Sequence, residues 1–512
     1  MAISPRARLL LALLLSVSGG CQEGARAQKQ QGLLRRPPRA ALGVNVGEVN
    51  YYTPQVVFLD LVKQAQDWGL GNEGKPPAAV DAHGWPTALA PGHVAGFIVN
   101  APEAGPYVAL YDGDGEVTVE HGGTVTASKP GRVEMTLQGG ETHFKLLRTS
   151  ATAPLKNLRI VPRANERDYA KKLFHPRFME RLAPFGVLRF LDFLRINGSK
   201  LTRWADRPRP DDFSQGTDRG VALEYAIELC NRIRADCWLN VPHLADDEYV
   251  RKMAELVREK LDPSLHVYLE YSNEIWNFPH GDELQRRGEA MGMPHDWGTR
   301  LRYQAHRSIE IFAVFERALG RERLIRVLAG QMYPERLKFL IEWEKAYAHA
   351  DVLAVAPYMC GDAGDAAGKV RRLDPGEIAA MCVADVARVR KDLKVIRGLA
   401  DRYGLALVGY EGGQHLVTGG AQHENAALQR ALDEANRHPV MGRAYDQYLE
   451  AWREEGGQLL VLYELIFEPS KWGRWGLLER LDQPLERAPK YQAALGFLRR
   501  RAPWWGRRVP TQ

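Results

Sequence analysis

The stretch HVYLEYSNEIWN, residues 266 to 277, passes without a break from an apolar run into a dense polar one. Val, Tyr and Leu in alternation suit a pleated strand. Glu270, Asn273, Glu274 and Trp276 then put two carboxylates, an amide and an aromatic ring into a few residues. In a parallel barrel such residues would stand at the carboxyl end of a strand, where that architecture keeps its reactive groups. The fold therefore turns on whether comparable runs recur along the chain.

They do. Short runs rich in Val, Ile and Leu appear at 187–193 (VLRFLDF), 237–242 (CWLNVP), 266–271, 324–330 (LIRVLAG), 352–358 (VLAVAPY), 405–410 (LALVGY) and 458–463 (QLLVLY). Between them lie segments of helical period, such as 221–233 and 246–261, in which apolar positions recur at three and four. An eighth strand is read upstream at 41–49 (ALGVNVGEV), followed by a helix-like pattern at 56–68 (VVFLDLVKQAQDW). Eight strand and helix units predict an α/β protein, a closed (β/α)8 TIM barrel.

A different texture separates the first unit from the second strand. From about 70 to 165, short alternating runs and Gly-rich turns replace helical period, which predicts an inserted antiparallel β-sandwich domain. The insert is read either as a sugar-binding module or as a spacer or lid. Within it Asp112-Gly-Asp-Gly-Glu116 lacks the ligand order of a calcium loop and reads as an Asp-Gly hairpin turn. The organisation expected is a signal peptide over 1–27, a flexible leader over 28–40, the first barrel unit over 41–69, the insert over 70–165, the rest of the barrel over 166–500 and a tail over 501–512.

The leader carries Arg6 and Arg8 ahead of LLLALLLSV, a run too short to span a bilayer, and reads as a secretory signal. Ala25-Arg26-Ala27 supplies the small-x-small cleavage pattern and is favoured. Ser18-Gly-Gly-Cys21 is the competing site, which would leave a lipid anchor on Cys21. A secreted or periplasmic protein is expected, tethered to the envelope in the second case, without a transmembrane segment. Export permits disulfides, and both Cys230 with Cys237 and Cys360 with Cys382 are plausible pairs, the first pair reading equally well as two buried thiols.

The 512 residues carry a formal charge of +6, with basic residues interspersed among acidic ones, so nucleic acid is not an expected partner. The apolar share of 45% and charged share of 26% are those of an ordinary globular chain with a large core. No metal-ligand spacing occurs, and neither a metal nor an organic cofactor is expected. Oligomeric state is not readable.

The residues at the strand ends are polar and mutually compatible. Arg189 lies on the second strand, His243 comes after the third, Asn273 and Glu274 after the fourth, Tyr358 after the sixth and Glu411 after the seventh, in YEGGQH. Two carboxylates facing each other across one barrel mouth suit glycoside hydrolysis, one protonating the leaving oxygen while the other attacks the anomeric carbon. With Asn273-Glu274 in EYSNEIWN and Glu411 in LVGYEGG, the sequence resembles the clan A glycoside hydrolases, retaining (β/α) barrel enzymes. The resemblance implies Glu274 as acid/base, Glu411 as nucleophile and Asn273 as a ligand of the substrate 2-hydroxyl. It further implies that Arg189 orients the nucleophile, that His243 and Tyr358 line the substrate site, and that Trp472 or Trp475 in KWGRWG serves as a sugar platform.

More narrowly, HPRFMERLAPFGVLRFLDFLR, WADRPRPDDFSQ and YLEYSNEIWN resemble an exported bacterial group often labelled cellulose-binding. The expected function is an exported retaining glycosidase cleaving a β-linked polysaccharide or oligosaccharide by double displacement. The alternative is a barrel that binds polysaccharide without cleaving it; a third reading is an envelope scaffold whose carboxylates are structural. The individual residues have structural readings too. Glu270 reads as a paired carboxylate of the barrel interior, which Arg189 would neutralise, and Tyr358 as packing. Trp204 and Trp276 read as further sugar platforms or, more commonly for Trp in an apolar pattern, as core, and Asn197-Gly-Ser as an incidental glycosylation spacing.

Overall fold

Eight short parallel strands close on themselves around a packed interior, in a computed structural model that describes residues 37–69, 76–277, 280–361, 363–368 and 373–504. The segment read as a signal peptide, Cys21 and most of the tail lie outside the described residues. No helix among the described residues is long and apolar enough to cross a membrane.

Strand β1 (Leu42–Asn45) opens the barrel. Nine strands come next before the barrel resumes: β2 (Ala79–Val80), β3 (Pro86–Ala88), β4 (Ala95–Ala101), β5 (Gly105–Asp112), β6 (Gly115–His121), β7 (Gly123–Lys129), β8 (Arg132–Leu137), β9 (Gly140–Thr149) and β10 (Lys156–Pro162). The barrel then runs through β11 (Val187–Arg189), β12 (Asp236–Val241), β13 (Val267–Tyr271), β14 (Leu324–Ala329), β15 (Val352–Val355), β16 (Ala406–Gly409) and β17 (Leu460–Leu462). Neighbours pair in chain order and β17 closes on β1, so every expected barrel strand is present. Between strands, helices such as Leu223–Ile233, Asp247–Lys260, Thr299–Leu319 and Pro375–Arg402 lay an apolar face on the barrel. Asp246 and Asp374 accept from the third backbone N–H of their helices, satisfying a donor the helix itself leaves free.

In the insert, sheets β10-β5-β8-β7 and β4-β9-β6 are antiparallel, and their inward residues form one apolar cluster that includes Phe97, Phe144, Tyr107, Met135 and Ile160. Phe213, from the loop after β11, inserts into the same cluster and stacks on Trp68 at 4.4 Å between centroids.

Three local expectations need correction. Residues 56–68 form no α-helix, only a 3-10 turn at Leu61–Gln64. The Gln64 side chain accepts from the backbone N–H groups of Val57 and Phe58, folding the segment back on itself, while Leu61, Val62 and Ala65 pack into the insert's core. The apolar spacing there served two cores, not one helix face. The strand read at 187–193 ends at Arg189, beyond which the chain turns. The Asp112-Gly-Asp-Gly stretch joins strands of different sheets, so it is a crossing turn and no hairpin. Gly113, at φ 82°, passes so close to the backbone of Pro154 that no Cβ fits.

Of the two cysteine pairs, Cys360 and Cys382 form a disulfide, whereas Cys230 and Cys237 are free and buried.

Candidate active site

Arg189 sits inside the barrel, fully buried, and each of its five N–H groups has an acceptor. Nε and Nη2 donate to Glu270 at 3.0 to 3.1 Å, Nη1 to Asn45 Oδ1 at 3.1 Å and to Glu411 Oε1 at 2.9 Å, and Nη2 also to Asn273 Oδ1 at 2.8 Å. One guanidinium on β11 thereby ties together β1, β13 and the residues after β13 and β16. Burial by itself would lower the Arg189 pKa, but the charges of Glu270 and Glu411 outweigh it and keep the group ionised.

Glu270 is the second half of that lock. Trp238 Nε1 donates to its Oε2 at 2.8 Å, and burial raises its carboxyl against the pull of Arg189. It is a counter-ion within the barrel, one layer below the mouth, as its place on β13 suggested. Arg189 does not choose between Glu270 and the candidate nucleophile; it holds both.

Glu411 stands two residues past β16, with 6% of its surface exposed. Its Oε1 takes Arg189, and its Oε2 accepts from the Tyr358 hydroxyl at 2.9 Å. Burial first, and then the charge of Glu274, pushes the Glu411 carboxyl up to about 8, opposed by Arg189 and the Tyr358 hydroxyl. Gly412, next in the chain, lies where a Cβ would fall 2.4 Å from the Tyr448 hydroxyl, so the loop carrying Glu411 beds directly on the helix Pro439–Glu454.

Glu274 faces this group from the other side of the mouth. The Tyr410 hydroxyl donates to its Oε1 at 2.9 Å and the Asn277 amide to its Oε2 at 2.7 Å. Tyr410 adjoins Glu411, so a single dipeptide supplies one carboxyl and positions the other. Ser272 and Glu274 adopt φ of 59° and 37°, left-handed values that non-glycine residues rarely hold and that concentrate at functional sites. The chain turns sharply there, and Asn273 points back toward Arg189 while its amide donates to Asn197 Oδ1 at 3.1 Å.

The remaining candidates distribute unevenly. Tyr358 touches Glu411. Trp475 packs against Tyr358 at 5.6 Å, His415 at 4.7 Å and Tyr463 at 5.9 Å, which places it at the mouth. Trp472 does not join them: it is 64% exposed and lies against His423. His243 stands one step back, its ring 5.5 Å from His280, whose Nε2 reaches the backbone oxygens of Asn273 and Glu274. Burial, then His280, lowers the His243 pKa to about 4, so this imidazole is neutral. Trp204 is packed against Tyr249 and Arg207, away from the carboxyls.

Sequence reasoning missed Tyr410, Asn45 and Asn197, and also Asp192 and Glu464 at the ends of β11 and β17. The Tyr410–Glu411 dipeptide was the available signal for the first, since an aromatic hydroxyl beside a candidate nucleophile has a polar end to satisfy. Asn197 carries no such signal, its role arising only from the fold.

The sequence matches no protein-family model and no curated relative. Among solved structures the chain is similar to glycoside hydrolases. A GH51 arabinofuranosidase from Xanthomonas axonopodis pv. citri aligns at 10% identity over 57% of this chain and 60% of that one, with a TM-score of 0.35. A family 51 alpha-L-arabinofuranosidase from Bifidobacterium longum aligns at 12% identity over 64% and 68%, with a TM-score of 0.41. A beta-glucosidase from Thermotoga maritima aligns at 12% identity over 62% and 84%, with a TM-score of 0.34. The chain thus covers less than two thirds of the first of these. At such scores the likeness bears no weight, and the barrel rests on its own strand pairing.

Proposed function

We propose that the protein is an exported glycoside hydrolase that cleaves a β-linked glycan with retention of configuration. The observation that carries this reading is the Glu274 and Glu411 pair at one barrel mouth, each held by its own donors, with the charge of Glu274 felt at Glu411. Arg189 can only donate, so its bond to Oε1 favours the ionised form of Glu411 against the burial that raises it.

In that form Glu411 attacks the anomeric carbon while the glycosidic C–O bond breaks and Glu274 gives its proton to the departing oxygen. Water then attacks the same carbon, Glu274 takes the water's proton, and the bond to Glu411 breaks. Asn273, fixed by Arg189 and Asn197, has a second amide hydrogen to offer the sugar 2-hydroxyl. Trp475 and Tyr463 supply apolar faces for a ring.

A panel of β-linked polysaccharides tests the reading through released sugar, followed by proton NMR of the first-formed anomer. Release of a β-anomer by wild type, absent in Glu411→Ala, supports it. A first-formed α-anomer, or no release from any glycan, overturns it.

A further inference from the structure

Beside the Glu274 and Glu411 pair, the chain leaving β1, β11 and β17 brings three further carboxyls together: Glu48, Asp192 and Glu464. Glu464 is only 4% exposed, and its Oε2 has no hydrogen-bond partner among the described residues. Asp192 Oδ2 is likewise buried without a partner. After burial itself, the groups acting on Glu464 are Asp192, Glu48 and Glu411, so every charge it feels is negative. A Cβ on Gly47 would fall 2.9 Å from Glu464 Oε2, so the chain from β1 meets this carboxyl with backbone alone.

Glu48 has its own cation, Arg195 Nη1 at 2.8 Å, and its Oε1 accepts from Asn50 and Tyr52. Asp192 has the Tyr463 hydroxyl beside it, with Arg189 and Arg195 acting from further off. Burial leads the causes that push Asp192 up to about 6 and Glu464 well above the usual carboxylate range. Six carboxyls, Glu48, Asp192, Glu270, Glu274, Glu411 and Glu464, therefore face two guanidiniums in this region.

The hydroxyls of a neutral sugar bring no positive charge to such a place, so both carboxyls would keep their raised affinity for protons beside one. A cation set between the two orphan oxygens would do the opposite. It would give each carboxyl a charge-assisted hydrogen bond and let both ionise. We propose that the glycan bound here carries a protonated amino group, the free nitrogen of a hexosamine, docked between Glu464 Oε2 and Asp192 Oδ2. The proposal rests on the glycan reading of the adjoining carboxyl pair and names the class of sugar that reading left open. Glu464 and Asp192 are then specificity residues, and the leaving and attacking groups remain with Glu274 and Glu411.

Titration calorimetry near pH 6, in two buffers of different ionisation enthalpy, tests it with the full chain. The probes are β-1,4 and β-1,6 oligosaccharides of glucosamine, their N-acetylated forms and the corresponding glucose oligomers. Wild type is expected to bind a glucosamine oligomer about tenfold or more tightly than its N-acetylated and glucose counterparts, with proton release as the raised carboxyls ionise. Glu464→Gln and Asp192→Asn should each remove the preference and reduce the proton release, and melting curves report whether each variant is folded. Either variant alone suffices if the other fails to fold. Equal or weaker binding of the amino sugar, a preference that survives in the folded variants, or no binding of any glucosamine oligomer overturns the proposal. Sugar release is scored separately: amino-sugar binding without cleavage overturns the hydrolase reading alone, and cleavage confined to neutral glycans overturns this proposal alone.

Discussion

Arg189 serves two buried carboxylates with one planar fork, so its removal leaves both without their main counter-charge. Arg189→Met is expected to lower stability by about 3–5 kcal/mol, read from denaturant unfolding, because Glu270 would stay buried beside Trp238 with no cation. Arg189→Lys keeps a charge but cannot reach five acceptors, so it should fall between. An Arg189→Met protein that unfolds at the wild-type midpoint contradicts this account. The raised carboxyls give a signed pH dependence. Glu411 at about 8 and Asp192 at about 6 hold more protons folded than unfolded. Their contribution is therefore fully present below the unfolded carboxyl range of about 4 and is lost as pH rises through 6 and then 8. Melting temperature of the free protein should fall over that window, and Glu411→Gln should flatten its upper part. A wild-type melting temperature that rises from pH 5 to 8 would count against the charge arrangement.

At the scale of elements, the loop after β15 is fastened to the helix Pro375–Arg402 three times. Cys360 is bridged to Cys382, the Cys360 N–H donates to Asp385, and Arg388 donates to the Tyr358 carbonyl at 2.9 Å. Tyr358 in turn holds Glu411, so a covalent tie at the rim reaches the candidate nucleophile through one hydroxyl. With the two cysteines 22 positions apart in sequence, opening the bridge should cost about 3 kcal/mol in the chain-entropy view. Cys382→Ser should accordingly melt lower than wild type under non-reducing conditions and match it under strong reductant. A variant that melts with wild type under both conditions would remove the bridge from this account. The elements were also where sequence was most legible. All eight barrel strands announced themselves, because strands buried on both faces need continuous apolar runs and these recur at βα spacing. Glu274 and Glu411 were legible for the same reason, each standing just past such a run. What escaped notice was set by long-range contact: the left-handed turn at Ser272 and Glu274, the Asn197 to Asn273 bond, and residues 56–68, whose period resembles a helix but divides between two cores.

Across the whole molecule, the insert and the barrel are joined by more than their two chain crossings. Phe213 and the contacts of the His83 ring with Asp211 and Asp212 fix the loop after β11 to the insert, and that loop begins near Asp192 and Arg195 in the barrel mouth. Phe213→Ala should cost about 3–5 kcal/mol by leaving a cavity against Trp68, Trp85 and Phe97. Calorimetry should show it as separation of a low-temperature transition for the insert from that of the barrel. A single undisplaced transition would mean that the wedge contributes little.

The division of labour between Glu274 and Glu411 is the claim on which the function depends, and leaving-group chemistry separates the two roles. The measurement is kcat/KM of Glu274→Ala and Glu411→Ala on the cleaved glycan and on a dinitrophenyl glycoside of the same sugar, whose leaving group needs no proton. The account predicts that Glu274→Ala loses about 100-fold or more on the glycan, yet forms the glycosyl-enzyme from the dinitrophenyl glycoside at near wild-type rate. Glu411→Ala should lose both activities. Wild-type turnover of the dinitrophenyl glycoside by Glu411→Ala would contradict it.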